Sequence, residues 1–353
     1  MSKAFDCVNI EFLIHKLQSL GIRGNVAAWI QSYLSERKLY VQYFNTNSSY
    51  KSSELGVPQG SVLGPLLFLI FINDLPNFVS HDYITLYADD VTVGISANNE
   101  TELIAKLDQT VNTFHHWCSS NKLILNSDKT SFVLFSTKNS TFTLSKCKYR
   151  FINTVKFLGV TFDSQLSMQN HVDEVCKKLS YTSYSIRNLI STLDTKSLLN
   201  IYYAFAYSTM SYNVFVWGHS SSWKRVFILQ KRILRLIFKL KFNDSCRPIF
   251  NNKNILTFPS IVIFEACKFA KQHLPEFSLI NDIHNYNTRS SADIYVPPYR
   301  LTLYSKGPFC FCATLYNLLP ADIKCIRDFK CFKNKLHSFL LQKCFYSINE
   351  FLS

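Results

Sequence analysis

Tyr87-Ala88-Asp89-Asp90 lies between two short apolar alternations, Tyr83, Ile84 and Leu86 before it and Val91, Val93 and Ile95 after it. Period-two patterning on both sides of an acidic pair reads as a β-hairpin with two carboxylates at its tip. Neighbouring carboxylates repel unless a cation compensates them, so a rigid hairpin presenting Asp89 and Asp90 suits a divalent metal. Magnesium is the natural guest, with manganese as the alternative, because it takes few oxygen ligands and leaves room for substrate phosphates. An acidic turn in an ordinary hairpin has the same local pattern, so the neighbouring sequence has to decide.

Upstream stands Gly56-Val57-Pro58-Gln59-Gly60-Ser61-Val62-Leu63-Gly64-Pro65, followed by an apolar run from Leu66 to Ile72. The glycines allow a close backbone approach to a ligand, and Pro65 suits the first turn of a helix. GVPQGSVLGPLLF, then INDLP, then YADD, in that order, resembles the palm signature of reverse transcriptases of non-LTR (LINE-like) retrotransposons. Ser2-Lys3-Ala4-Phe5-Asp6-Cys7-Val8 resembles the end of that family's first palm motif. A related intron-encoded reverse transcriptase fits less well, because Trp217-Gly218 and the stretch from His284 look LINE-like.

The resemblance implies an RNA-directed DNA polymerase that joins deoxynucleoside triphosphates to a primer 3′-hydroxyl on an RNA template, with Asp89 and Asp90 as metal ligands. It implies that Gln59 and Gly60 lie against the incoming nucleotide and the templating base. Phe5 would sit beneath the sugar and exclude a 2′-hydroxyl, and Tyr87 would line the primer end. Lys129 would protonate the leaving pyrophosphate. Phe157, Leu158 and Gly159 would form the primer grip. For each of these residues a packing or solvated role is the alternative. In the family the first catalytic aspartate falls immediately before the position of Met1, so the expectation is a fragment, inactive by itself, that lacks this aspartate and the fingers. Asp6 is expected to cap the helix that begins near Asn9. The competing expectation is a non-catalytic nucleic-acid-binding remnant of a decayed element.

Composition agrees with a folded chain. Of the 353 residues, 47% are hydrophobic and 15% aromatic, too much apolar surface for a disordered protein. The net charge is +14, and it is uneven: residues 1–163 hold 14 basic and 13 acidic side chains, residues 164–353 hold 24 and 11. Such an excess points to a polyanionic partner, nucleic acid first. Eleven scattered cysteines are expected to be reduced and buried, and Cys310, Cys312, Cys325, Cys331 and His337 follow no zinc spacing. No signal peptide or membrane span is legible, which predicts an intracellular protein of nucleus or cytoplasm. No protein partner is implied.

In chain order, the pattern predicts helices over 9–20, 25–34 and 99–118. It predicts strands around Leu39–Tyr43 with a return toward Gly56, and at Phe132–Phe135, Phe142–Leu144 and Phe157–Phe162. The fold class is α+β, a partial right-hand polymerase palm over 1–163 with an antiparallel sheet and packed helices. A helical, basic thumb over 164–242 and a mostly helical C-terminal region over 243–353 follow. Trp223–Lys241 projects as a helix with Lys224, Arg225, Lys231, Arg232, Arg235 and Lys239 inside an arc of about 120°, with Ile228 intruding. That arc could track a phosphate backbone, face water, or lie on a membrane surface. His284–Ser290 and Leu315–Pro320 read as local packing and turns.

Overall fold

Asn9 opens the first helix, α1 (Ile10–Ser19), because its side-chain oxygen accepts the Phe12 backbone N–H at 3.0 Å. The expectation that Asp6 caps this helix is thereby corrected: Asp6 lies in a 3-10 turn, Ala4–Cys7, and its carboxylate is engaged elsewhere. Leu13, Ile14 and Leu17 are buried, as their spacing predicts. Helix α2 (Gly24–Leu34) buries Ala27, Ile30 and Leu34 and leaves Trp29 exposed. The computed structural model describes residues 3–79, 83–136, 147–283 and 293–353.

The predicted strand through Leu39 and its return form two short antiparallel ladders instead of one. Strand β1 (Arg37–Leu39) pairs with β4 (Lys51–Ser53), and β2 (Gln42–Tyr43) with β3 (Thr46–Asn47). Leu39, Val41 and Tyr43 are exposed, so no buried face holds a single continuous register here. After α3 (Leu63–Ile72) and α4 (Leu75–Phe78) come β5 (Tyr83–Tyr87) and β6 (Asp90–Gly94), then α5 (Glu100–Ser120), capped by Asn99. Leu13, Leu17, Leu34, Phe68, Phe71 and Trp117 share one core. Lys16 reaches into its edge, donating to the Phe71 carbonyl at 2.7 Å and to Asp74 Oδ1 at 2.9 Å, with its ammonium over the Phe71 and Trp117 rings. Burial lowers the Lys16 pKa, against the pull of Asp74. Of the strand predicted at Phe132–Phe135 only a single bridge from Phe132 to Phe151 forms, and Phe142–Leu144 lies outside the described residues.

These elements belong to one of two units into which the chain divides; the second is built on Ile152–Ser353. It opens with the hairpin β7 (Thr154–Phe157) and β8 (Val160–Asp163). Asp163, the buried last residue of β8, accepts the backbone N–H groups of Gln165, Ser167 and Met168 and so ties the turn into the next helix. Helices α6 (Gln169–Leu189) and α7 (Thr195–Ile201), a π-helical segment (Tyr202–Tyr207), α8 (Ser208–Ser211), α9 (Val214–Trp217), α10 (Trp223–Ile237), α11 (Arg247–Asn252) and α12 (Phe258–Gln272) follow. Then come α13 (Ile280–Ile283), α14 (Thr302–Ser305), α15 (Pro308–Asn317), α16 (Ala321–Lys324), α17 (Phe329–Lys343) and α18 (Asn349–Leu352).

Helix α12 buries every residue from Phe258 to Phe264, so it runs through the middle of this unit. One core extends from Met168 to Phe351, which places the segments expected as thumb and C-terminal region around shared apolar side chains. Among the described residues the strands form four separate two-stranded antiparallel sheets, so the chain is mixed α and β with small antiparallel sheets.

The predicted packing role of Leu315–Pro320 has a specific form. Asn317 accepts the Ile294 N–H at 2.9 Å and donates to the Ile294 carbonyl at 2.8 Å, pinning that segment edge-on as a strand would. The stretch His284–Ser290 lies outside the described residues. All eleven cysteines are free, but Cys325 and Cys331 are exposed, which corrects the expectation of uniform burial. Cys325 ends the short α16, and Cys331 lies in the first turn of α17. Among the described residues no helix is long and apolar enough to cross a membrane.

His219 contributes to the unit's pH sensitivity, beside His171 and His337, whose pKa values burial also lowers. The His219 ring lies 4.4 Å from that of Phe311, and burial, reinforced by Lys306, lowers its pKa from 6.5 to about 4. A base held neutral in the folded state contributes stability that is complete above pH 6.5 and is lost as the pH falls toward 4. The urea midpoint of the full chain should therefore fall across this window, and His219→Asn, which cannot take up that proton, should flatten the slope.

Candidate active site

The Tyr87-Ala88-Asp89-Asp90 stretch forms the predicted hairpin. Strands β5 and β6 pair from Tyr83 with Gly94 to Tyr87 with Asp90, leaving Ala88 and Asp89 as the two-residue turn. Ala88 has φ +50°, the left-handed conformation that a tight hairpin requires at its first turn residue. Ile84, Leu86, Val91 and Val93 are half-buried on the core, and the alternate residues, with Tyr87 and Asp90 among them, face outward. Asp89 is half-buried in the turn; Asp90 is exposed, directly across the ladder from Tyr87. Among the described residues the ion pairs include neither Asp89 nor Asp90, so both carboxylates remain available to an external cation. That donor set, two oxygen-bearing acids on a rigid tip without a protein counter-charge, fits a hard divalent ion. Among the described residues no cluster of three or more His, Cys, Asp or Glu side chains forms a metal site, so no third acid joins the pair.

The first motif and the glycine loop are stitched together. The Gly56 N–H donates to the Val8 carbonyl and the Val57 N–H to the Phe5 carbonyl, both at 2.8 Å. Gln59 Nε2 donates to Asp6 Oδ1 at 2.8 Å. This contact is what occupies Asp6. The ring of Phe5 stacks on Phe68 with centroids 4.5 Å apart, and Gln59 and Gly60 are exposed at the loop's crest. Gly60, at φ +78°, has open space where a side chain would begin. Below them, the Ser61 hydroxyl donates to the Pro58 carbonyl and accepts the Gly64 N–H, closing the loop onto α3.

Sequence reasoning missed Arg37. Its guanidinium donates to the carbonyls of Leu55 and Gly56, at 2.8 Å each, and so fixes the start of the loop. Nothing in Ser35-Glu36-Arg37-Lys38 distinguishes that arginine from a solvated one. Gly56 itself sits at φ +85°, and a β-carbon there would lie 2.8 Å from the Asp6 backbone. Gly56→Ala should therefore destabilise this unit by about 3 kcal/mol, from left-handed strain plus overpacking. Faster hydrogen exchange of α1 and α3, with the second unit's helices unchanged, is the expected readout.

Lys129 is exposed in a turn where its N–H donates to Asn126 Oδ1 at 3.0 Å. Phe157, Leu158 and Gly159 belong to the second unit, where Leu158 (φ +43°) and Gly159 (φ +82°) form the β7–β8 turn. The Tyr212 hydroxyl donates to the Leu158 carbonyl at 2.7 Å, and its ring lies 3.1 Å from where a Gly159 β-carbon would be. Close approach by Tyr212 is thus one structural reason for glycine at this position.

The basic helix is shorter than predicted. Helix α10 ends at Ile237, and Lys239, at φ +54°, lies beyond it, where the Leu240 N–H closes back on the Arg235 carbonyl in a Schellman turn. The predicted helical position of Lys239 is corrected accordingly. Arg225 pairs with Asp173, Lys231 lies over the rings of Phe227 and Tyr346, and Arg235 donates to the Asp244 carbonyl at 3.1 Å. Lys224 and Arg232 are exposed, with Ile228 between them. Half of the expected basic stripe therefore has partners within the unit.

Residues 1–162 match the model of the family "Reverse transcriptase (RNA-dependent DNA polymerase)". Among known proteins, the chain is 28% identical to the "Probable RNA-directed DNA polymerase from transposon BS" of Drosophila melanogaster, over 67% of this chain and 28% of that protein. It is 27% identical to the "RNA-directed DNA polymerase from mobile element jockey" of the same organism, over 67% of this chain and 27% of that one. Identity is 23% to the "Retrovirus-related Pol polyprotein from type-1 retrotransposable element R1" of Bradysia coprophila, over 70% of this chain and 25% of that one. The chain thus spans about a quarter of the length of these relatives.

Proposed function

Residues 1–162 belong to the reverse transcriptase family, of the kind found in LINE-like retrotransposons, and from that premise we propose that the chain is the palm and thumb segment of an RNA-directed DNA polymerase. The observation that carries this reading is the hairpin tip, where Asp89 and Asp90 stand without a protein counter-charge among the described residues. They would hold Mg²⁺, or Mn²⁺ in its place. A bound divalent ion there would lower the charge on the triphosphate and favour ionisation of the primer 3′-hydroxyl.

The chain's own residues bind and orient around that point. Tyr87, across the ladder from Asp90, offers its ring to the primer terminus. Gln59 presents a donor and an acceptor from the loop crest toward the incoming nucleotide and templating base, and Gly60 leaves them room. Phe5, held flat by Phe68, would meet a 2′-hydroxyl sterically and so select deoxynucleotides. Lys129 is an ammonium in reach of water, suited to supplying a proton to pyrophosphate. The β7–β8 turn at Phe157–Gly159 would grip the primer strand. Exposed Lys224 and Arg232, with Arg225, Lys231, Arg235 and Lys239, would contact its phosphates and the template's. We keep 1–163 as palm, 164–242 as thumb and 243–353 as a C-terminal region on the same terms.

Two acids without a third among the described residues also favour a second reading, a segment that binds nucleic acid without catalysing. Primer extension separates the two. On poly(rA) with an oligo(dT) primer, dTTP and Mg²⁺, this chain is compared with a version lengthened upstream to include the family's first aspartate. Incorporation by the lengthened protein supports the polymerase. Binding of the template-primer without incorporation by either supports the second reading.

A further inference from the structure

A cleft of about 360 Å³ in the second unit lies apart from every residue assigned above. One wall is the π-helical segment, which carries Tyr203 and Tyr207 with ring centroids 5.7 Å apart; Tyr203 is 42% exposed. A π-helical turn is uncommon, and it recurs at ligand sites because its wider turn presents side chains that an α-helix would space differently. The opposite wall is α12, where Phe264 underlies the Lys268 ammonium at 5.1 Å and Lys268 pairs with Glu265 at 2.7 Å. The Phe264 ring also meets His337 of α17 at 5.6 Å, edge to face. Lys333, one turn before His337, is exposed at the rim.

The chemistry of these walls narrows the ligand. Aromatic faces accept a flat ring, and Tyr203 presents the most accessible of them. Glu265 is neutralised by Lys268, so the net local charge is the positive one of Lys333, which disfavours a cationic guest and favours an anion. Burial and Lys333 lower the His337 pKa and burial raises that of Tyr207, so one is a neutral ring and the other a protonated hydroxyl. Glu265 and Asn254 add an acceptor and an amide for exocyclic groups. The volume lies near the lower bound for ligand pockets and suits one nucleotide, not a folded polymer.

We propose that this cleft binds a nucleoside 5′-phosphate, its base against Tyr203 and its phosphate toward Lys333, either free or as the terminal residue of a single strand. The site is independent of Asp89 and Asp90, so it stands or falls separately from the polymerase reading.

Photo-crosslinking of the full chain tests it. The probes are 5-iodo-2′-deoxyuridine 5′-monophosphate, a 5′-phosphorylated trinucleotide beginning with the same residue, and the unphosphorylated nucleoside, with adducts mapped by peptide mass spectrometry. The expected adduct falls on Tyr203 or Tyr207 and drops at least fivefold with Lys333→Glu or with the unphosphorylated probe. Asp89→Asn should leave it unchanged. An adduct with the mononucleotide identifies a free-nucleotide site, and one with the trinucleotide alone identifies a strand end. No adduct in 202–207 with either probe overturns the proposal. So does a yield indifferent to both Lys333→Glu and loss of the phosphate.

Discussion

Asp89→Asn is expected to lower RNA-templated deoxynucleotide incorporation by about 10³-fold, equivalent to about 4 kcal/mol of transition-state stabilisation. The substitution keeps the shape of the side chain and the turn while removing the charge that a divalent ion needs. Asp89 is half-buried at the second turn position, and its neighbour Ala88 already supplies the left-handed conformation, so the hairpin has no reason to reorganise. The assay is steady-state primer extension with the upstream-lengthened protein, alongside hydrogen exchange of β5 and β6 to verify that the hairpin is intact. Retained incorporation with an intact hairpin would remove Asp89 from the metal site.

Gln230→Leu is expected to cost the second unit about 4 kcal/mol. Gln230 is fully buried in α10, inside the helix whose outer face carries the basic residues. Its amide nitrogen donates to the Tyr202 hydroxyl at 2.9 Å and to the Leu256 carbonyl at 2.8 Å, and its oxygen accepts the Phe258 N–H at 2.8 Å. It thereby joins three successive parts of the unit: the π-helical segment, the loop before α12, and the first residue of α12. Leucine fills the volume but leaves three buried polar groups unpaired, at about 1–3 kcal/mol each before relaxation. Chemical denaturation followed by Trp217 and Trp223 fluorescence measures the loss. A cost below about 1 kcal/mol would mean that water or a rearranged loop re-satisfies these groups.

What the sequence made legible was local. Period-two alternation around Asp89-Asp90 specified the hairpin because half its face is buried, and that burial also specifies register. Helices α1 and α5 were legible because their apolar residues recur at helical spacing, although the cap of α1 is Asn9 and not the expected Asp6. Where no burial enforced a register, as at Leu39–Tyr43, the expected strand broke into two ladders. The extent of α10 was misread because Phe238 to Lys241 continue its polar and apolar rhythm; the left-handed Lys239 ends it, and lysine carries no signal for that conformation. The contacts that build the site are long-range: Gln59 with Asp6, Arg37 with two carbonyls of the loop, Phe5 with Phe68. None has a periodicity to betray it. Gln230 was hidden similarly, a polar residue inside an amphipathic helix whose basic face drew the reading.

Whether the hairpin tip holds a divalent ion is measured most directly by electron paramagnetic resonance of Mn²⁺. The full chain would be titrated with template-primer and dTTP present, beside the Asp89→Asn/Asp90→Asn double variant. The account predicts protein-bound Mn²⁺ with the native chain and its loss, by at least tenfold in affinity, in the double variant. Equal Mn²⁺ binding by the two proteins would contradict it.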